Sequence, residues 1–222
     1  MSDITVRYIE FDFGETDEFD PEIIPGDPEM SYFMVGLSMI LPYLEPYLVQ
    51  HSLAGQKVIK DEKLLHDMQQ FSRQEASHYK QHKRFNDLAR RAYPGLELLE
   101  KRVASDYVGF SEKGLKFNLA FAEGFESLTH PWVIFMWESG MIKQMRGPLA
   151  DIYAWHFLEE MEHKTVAFDA YYHLYSDYFY RLRVSLIAQY HLLHFMFCAT
   201  RLLLNQEKDR FAARGGCIFR RS

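Results

Sequence analysis

The sequence predicts an all-α helical bundle, and three observations carry the prediction. Apolar residues recur at helical spacing through roughly four to six long segments. The connections between those segments are short, and nowhere do apolar and polar residues alternate between turn signals as they would in a strand. With 222 residues, 48% hydrophobic and 16% aromatic, the chain can bury a full core, and one domain is the expectation.

Taken in order, residues 1–27 form an acidic, Pro/Gly-punctuated arm with scattered aromatics, expected to lie irregularly on the domain surface. The helical domain spans 28–206, and 207–222 reads as a basic tail. Asp27-Pro28 fits an N-cap followed by proline at the first helical position, opening a helix to about His51. Pro42 and Pro46 lie inside it, so a kink or local unwinding is expected near Glu45. A second helix runs from about Lys60 to Tyr93 and stops before Pro94-Gly95. A third region starts near Leu96, breaks between Gly109 and Gly114, and continues to about Met141. After Gly147-Pro148 a fourth helix is predicted through about Tyr175, and a final apolar helix through about Leu182 to Gln206.

The charge of −6 supplies no basic field for a phosphate backbone, so nucleic acid is not expected as a partner. Two distant cysteines, Cys198 and Cys217, fit a reducing compartment better than a disulfide framework. The acidic N-terminus lacks the basic cluster and apolar run of a secretory leader. The expected location is the cytoplasm.

Chemistry enters with a repeated motif. Glu75-x-x-His78 and Glu160-x-x-His163 each place a carboxylate and an imidazole about 60° apart on one helix face. With 18 glutamates and 10 histidines in the chain, about one such motif is expected by chance. The surroundings add to the pair. Di-metal carboxylate bundles take one inward Glu from each of two helices and a Glu-x-x-His from each of two others. Here Glu45, flanked by apolar residues, precedes the first motif, and Glu126 or Glu123 precedes the second. A carboxylate in an apolar stretch needs a partner or a metal. Glu45 has the alternative of reaching water at a kink, and Glu75 and His78 that of a solvated face, since Arg73, Lys80, Lys83 and Arg84 surround them.

His156, Glu160 and His163 fall within about 60° of one another, whereas Glu159 and Glu162 point away from that stripe. His82, about 20° from Glu75 on the wheel, either joins the ligands or bonds a backbone carbonyl. His51 and His66 are read near helix ends. His130 is read as a cap or as lying behind the ligands, and His173, His191 and His194 as packing residues.

Four blocks, "LSMILPYLEPYLV", "FSRQEASHYKQHKRFN", "FAEGFESLT" and "WHFLEEMEHKTVAFDAY", resemble in order the ferritin-like bacterial family called predicted metal-dependent hydrolases. The resemblance spans residues 30 to 175. It implies a ferritin-like bundle whose ligands are Glu45 on a Pro-x-x-Glu position, Glu75 and His78 on a Gln-Glu-x-x-His block, Glu126 on a Glu-x-x-Thr block, and Glu160 and His163 on a Glu-Glu-x-Glu-His-Lys block. It favours Glu126 over Glu123. The stripe of His156, Glu160 and His163 is similar to that of di-iron arylamine N-oxygenases, which add a third histidine to the usual site. The C-terminus is shorter than is usual for the family.

Mixed carboxylate and imidazole ligands suit two iron ions, with manganese as the other candidate. The principal expectation is a di-iron oxygenase acting through Glu45, Glu75, His78, Glu126, Glu160 and His163 on a small, aromatic or lipid-like molecule, with O2 and an external electron donor as partners. Phe121, Phe125, Trp132, Phe135, Trp137 and Tyr153 are candidates to line its pocket. Binuclear metal-dependent hydrolysis is the alternative. Iron oxidation or a structural metal site is the third reading. Residues 184–204 have membrane-spanning length but are interrupted by Gln189, His191, His194 and Arg201. They read as a buried helix or homodimer interface, and otherwise as a membrane-surface contact with the trailing basic residues at the headgroups.

Overall fold

In the computed structural model, residues 4–13 and 19–208 are described, and among them all regular structure is helical. The eight helices are α1 (Pro28–Gln56), α2 (Glu62–Ala92), α3 (Leu96–Ser111), α4 (Leu115–Glu138), α5 (Met141–Gln144), α6 (Pro148–His163), α7 (Val166–Leu174) and α8 (Tyr178–Gln206). Three starts follow from side-chain caps that satisfy otherwise unpaired backbone donors. Asp27 accepts from the Met30 N–H at 3.0 Å, Asp61 from Leu64 at 2.7 Å and Asp177 from Tyr180 at 3.2 Å. Apart from Glu207 and Lys208, the predicted tail lies outside the described residues.

Helix α1 is the central element, packing on α2 along one side and on α8 along another. Helix α4 lies against α8 and α7, and α6 closes the bundle against α2 and α4. The core runs through these helices, with Tyr32, Met34, Ile40, Leu48, Phe85, Phe121, Tyr153 and Phe157 essentially out of water. Each such side chain contributes ~1.5–3 kcal/mol by leaving water. Helix α1 is also long and apolar enough to cross a membrane, although 72% of its apolar window is buried inside the bundle. The 184–204 stretch lies in α8, one face of which packs on α1 and α4 while the other is exposed.

The local unwinding allowed for near Glu45 and the single helix expected from 148 to 175 need correction. Helix α1 runs unbroken through Pro42 and Pro46 and ends at Gln56, beyond His51. Pro42 has no N–H for the Ser38 carbonyl four residues back, and Asn86 Nδ2 donates to that carbonyl instead at 2.7 Å. The lost bond is thereby replaced without unwinding. The single predicted helix from 148 to 175 is instead two, divided by a turn at Lys164 and Thr165 just past His163. Neither glycine nor proline marks that break. The division expected between Gly109 and Gly114 is present, with Gly114 at φ +84° starting α4.

The arm packs along α2 and α6. Phe11 meets Trp155 with ring centroids 5.5 Å apart, Phe13 and Phe19 meet Phe85, and Arg84 stacks over Phe13.

A buried carboxylate and histidine centre

Glu45 from α1, Glu75 and His78 from α2, Glu126 from α4, and His156, Glu160 and His163 from α6 converge in the interior, each at most 3% exposed. They form two poles. At one, His163 Nε2 lies 3.3 Å from Glu75 Oε1, 3.3 Å from Glu160 Oε2 and 3.7 Å from Glu126 Oε2. At the other, His156 Nε2 lies 2.8 Å from Glu160 Oε1 and 3.6 Å from Glu45 Oε1. Glu160 therefore turns one oxygen to each pole. His78 Nδ1 faces Glu75 Oε1 at 3.8 Å, and Glu45, His78 and His156 form a trio whose donor atoms lie within 4.8 Å of one another. Glu75, Glu126 and His163 form a second such trio, and Glu75, His78 and Glu160 a third between them.

The donor set fits metal. Both oxygens of Glu45 and of Glu75, Glu126 Oε1 and His78 Nδ1 are buried with no hydrogen-bond partner among the described residues. Isolated groups of this kind are costly, and cations would satisfy them together. Burial, with the Glu160 charge adding to it, pushes the Glu45, Glu75 and Glu126 carboxyls well above the ordinary carboxylate range. Burial would raise Glu160 as well, but His163 and His156 hold it well below that range. Without a metal, the surroundings thus favour the charged form at Glu160 and the neutral form at Glu45, Glu75 and Glu126.

Hydrogen bonds behind the converging side chains decide which histidine nitrogen faces the centre. Gln74 Nε2 donates to the Thr5 carbonyl and to Glu162 Oε2, both at 3.0 Å. Gln74 Oε1 therefore faces His163, whose Nδ1–H donates to it at 2.7 Å, leaving Nε2 as the nitrogen that faces the centre. On His78 the roles reverse. Its Nε2–H donates to Glu159 Oε2 at 3.0 Å, so Nδ1 is the free nitrogen.

The His156 side is fixed by a longer chain. Because Asn86 Nδ2 is committed to the Ser38 carbonyl, its Oδ1 accepts from the Ser38 hydroxyl at 2.8 Å. Ser38 Oγ must then accept from His82 Nδ1–H, also at 2.8 Å. Burial holds the His82 imidazole well below its ordinary pKa, so it is neutral and its Nε2 accepts from His156 Nδ1–H at 2.8 Å. His156 Nε2 is left facing Glu160 and Glu45. The proline at 42 thus bears on the orientation of a histidine on another helix.

Several expectations change here. His82 bonds Ser38 Oγ and His156 Nδ1 where a backbone carbonyl was the alternative, and it orients His156. Glu123 stays out of the centre, paired with Arg181 and accepting from Ser185 Oγ at 2.8 Å. Glu159 and Glu162, read as pointing away, stand behind the centre, Glu159 bonded to His78 and Glu162 linked to His163 through Gln74. Arg7 binds both, at 3.3 Å to Glu159 Oε1 and 2.6 Å to Glu162 Oε1, and the backbone N–H groups of Arg7 and Thr5 add bonds to the same carboxylates. No periodic signal in the arm announces Arg7. Of the other histidines, His51 bonds Ser111 Oγ and His191 bonds Asp106.

A cavity of about 60 Å³ borders His156, enclosed by α1, α4, α6 and α8. Phe33, Leu37, Leu41, Phe125, Leu128, Trp132, Phe157, Leu192 and Met196 line it, with Thr129 and His156 as the polar members. Of the predicted pocket residues, Phe125 and Trp132 are there. Phe121 packs with Tyr47 and Tyr107, Tyr153 donates to the Met34 carbonyl, and Phe135 and Trp137 are each 45% exposed. A larger groove between α1 and α2, near Pro46, Leu53 and Tyr79, is lined by none of the centre's residues.

An all-helical bundle enclosing a buried Glu/His cluster of this kind defines a metal-binding helical protein. The family model described as "Predicted metal-dependent hydrolase" matches residues 5–220, and the chain belongs to that family. No curated protein and no solved structure matches the chain.

Proposed function

We propose that this protein is a binuclear metal enzyme on a ferritin-like bundle, oxidising an apolar organic molecule with dioxygen and electrons from an external donor. Glu45, His78 and His156 would hold one ion and Glu75, Glu126 and His163 the other, with Glu160 between them. The ligand types suit iron, with manganese as the other candidate. When bound, such a pair supplies the oxygen and electron chemistry. The chain's own residues set the stage for it. Gln74 and Glu159 hold His163 and His78 in their ligating tautomers, His82 does so for His156, and the apolar walls keep bulk water from the His156 side.

The cavity carries the oxidative reading. Apart from Thr129 and His156 its lining is hydrophobic, which suits an apolar molecule and offers little to grip or polarise an ester, amide or phosphate. Four carboxylates also cancel the charge of two divalent ions, leaving little net positive charge to acidify a water. Hydrolysis is the second reading, favoured by the family's description.

One experiment separates them. Protein purified without oxygen is assayed for iron and manganese, given Fe(II), and exposed to oxygen while uptake is recorded; a parallel sample loaded with manganese or zinc is offered esters, amides and phosphate esters. The expected result is about two irons per chain with oxygen uptake, both reduced in Glu160→Ala and His163→Ala variants whose helix content is unchanged. Metal-dependent ester or amide cleavage without oxygen uptake would replace oxidation with hydrolysis.

A further inference from the structure

The outward face of α8 is apolar along its length. Phe179 (80% exposed), Leu186 (60%), Tyr190 (70%) and Phe197 (63%) fall within about 20° of one line on the helix. Exposed Arg183 and Arg201 flank that line, and no aspartate or glutamate occurs between 178 and 206. In a chain of net charge −6 this 29-residue helix is locally cationic as well as apolar. A helix of that composition suits the boundary between lipid headgroups and acyl chains.

The stripe is also continuous with the cavity. Phe197 packs against Phe33 at 5.6 Å between ring centroids, and Phe33 against Trp132 at 5.7 Å. Phe33 and Trp132 line the cavity that ends at His156. A second copy of the chain seated on α8 would cover this approach. A lipid surface would feed it.

We propose that α8 seats the protein on an anionic lipid surface, and that an apolar molecule passes from that surface past Phe197, Phe33 and Trp132 to the cavity beside His156. The passage rests on the oxidative or hydrolytic use of that cavity; the seating does not.

The full chain is floated with vesicles of phosphatidylcholine alone and of phosphatidylcholine with phosphatidylglycerol, without metal or turnover, so the result is independent of the proposed chemistry. It should float with the anionic vesicles. Arg183→Gln with Arg201→Gln should lower the partition coefficient roughly 25-fold, from about fivefold per arginine. Leu186→Gln, Tyr190→Gln and Phe197→Gln together should abolish flotation with circular dichroism unchanged. Absence of flotation, flotation unaffected by the triple variant, or a solution dimer that only the triple variant dissociates would each overturn the seating. The passage is read in a Trp137→Phe, Trp155→Phe background, where brominated acyl chains in the vesicles should quench Trp132; flotation without quenching would overturn it.

Discussion

Arg7 sits in an irregular arm, yet it is 152 residues from Glu159 in sequence and in direct contact with it. Through Glu159 it stands behind His78, and through Glu162 and Gln74 behind His163. Burial would lift the Glu162 carboxyl, but the bonds from Arg7, Thr5 and Gln74 hold it below its ordinary range. Arg7→Ala is expected to lower metal affinity roughly 10- to 100-fold, as loss of a partner behind a ligand typically does. Arg7→Lys should recover only part, because an ammonium cannot fork between two carboxylates. Titration against a competing chelator measures both, and equal affinity in all three proteins would remove Arg7 from the site. His82→Leu should cost ~1–3 kcal/mol in denaturant unfolding by stranding His156 Nδ1–H in the interior. That each Glu-x-x-His pair shares a helix face was legible because the motif is a local pattern with a fixed angle. Arg7, Glu159 and the role of His82 were not, since a helical wheel gives a direction about its own axis and says nothing of what packs there.

At the scale of helices, the close approach of α4 and α8 depends on one missing side chain. A Cβ at Gly124 would lie 2.4 Å from Ser185 Cα and 3.1 Å from its carbonyl oxygen, a collision with backbone that cannot rotate away. Gly124→Ala is therefore expected to destabilise by at least ~2 kcal/mol, beyond an ordinary overpacked methyl, read as a lower urea midpoint with an unchanged slope. A midpoint within error of the parent would mean that α8 is not held against α4 in solution as described. Since Glu126 lies two residues from Gly124 on α4, metal content is a second readout of the same displacement. The helices were mostly legible, because Asp27-Pro28, the Gly109 to Gly114 break and Gly147-Pro148 are local punctuation. Two features were not. The break at Lys164 and Thr165 has no breaker residue, and the continuity of α1 through Pro42 is secured by Asn86, which lies 48 residues from Ser38.

For the whole molecule, the centre couples metal, protons and stability. The folded chain holds Glu45, Glu75 and Glu126 protonated to pH values at which the unfolded chain has ionised them. Between these values the folded state binds more protons, so in metal-free protein their contribution to stability falls as pH rises above about 4.3. Glu160 has the opposite sign. Its lowered folded pKa gives stability that is present above the unfolded value and lost as pH falls through the folded one. Glu160 is ionised in both states above the unfolded value and does not oppose the three there. His78, His82, His51 and His191, held by burial below the ordinary histidine range, add stability as pH rises to about 6.5. Above that the carboxyls act alone, and metal-free protein should melt at lower temperature at about pH 8 than at about pH 7. Metal reverses the slope, because its ligands must be deprotonated and proton competition weakens as pH rises. Loading at pH 7 should release protons, up to about three per chain, one for each of those carboxyls, measurable by calorimetry in buffers of different ionisation enthalpy. A metal-free melting temperature that climbs from about pH 7 to about pH 8, together with metal uptake that releases no protons, would mean that these glutamates are ionised before metal arrives. The centre would then need some other source of positive charge, and the trios around His156 and His163 would lose their strongest physical reason for binding metal.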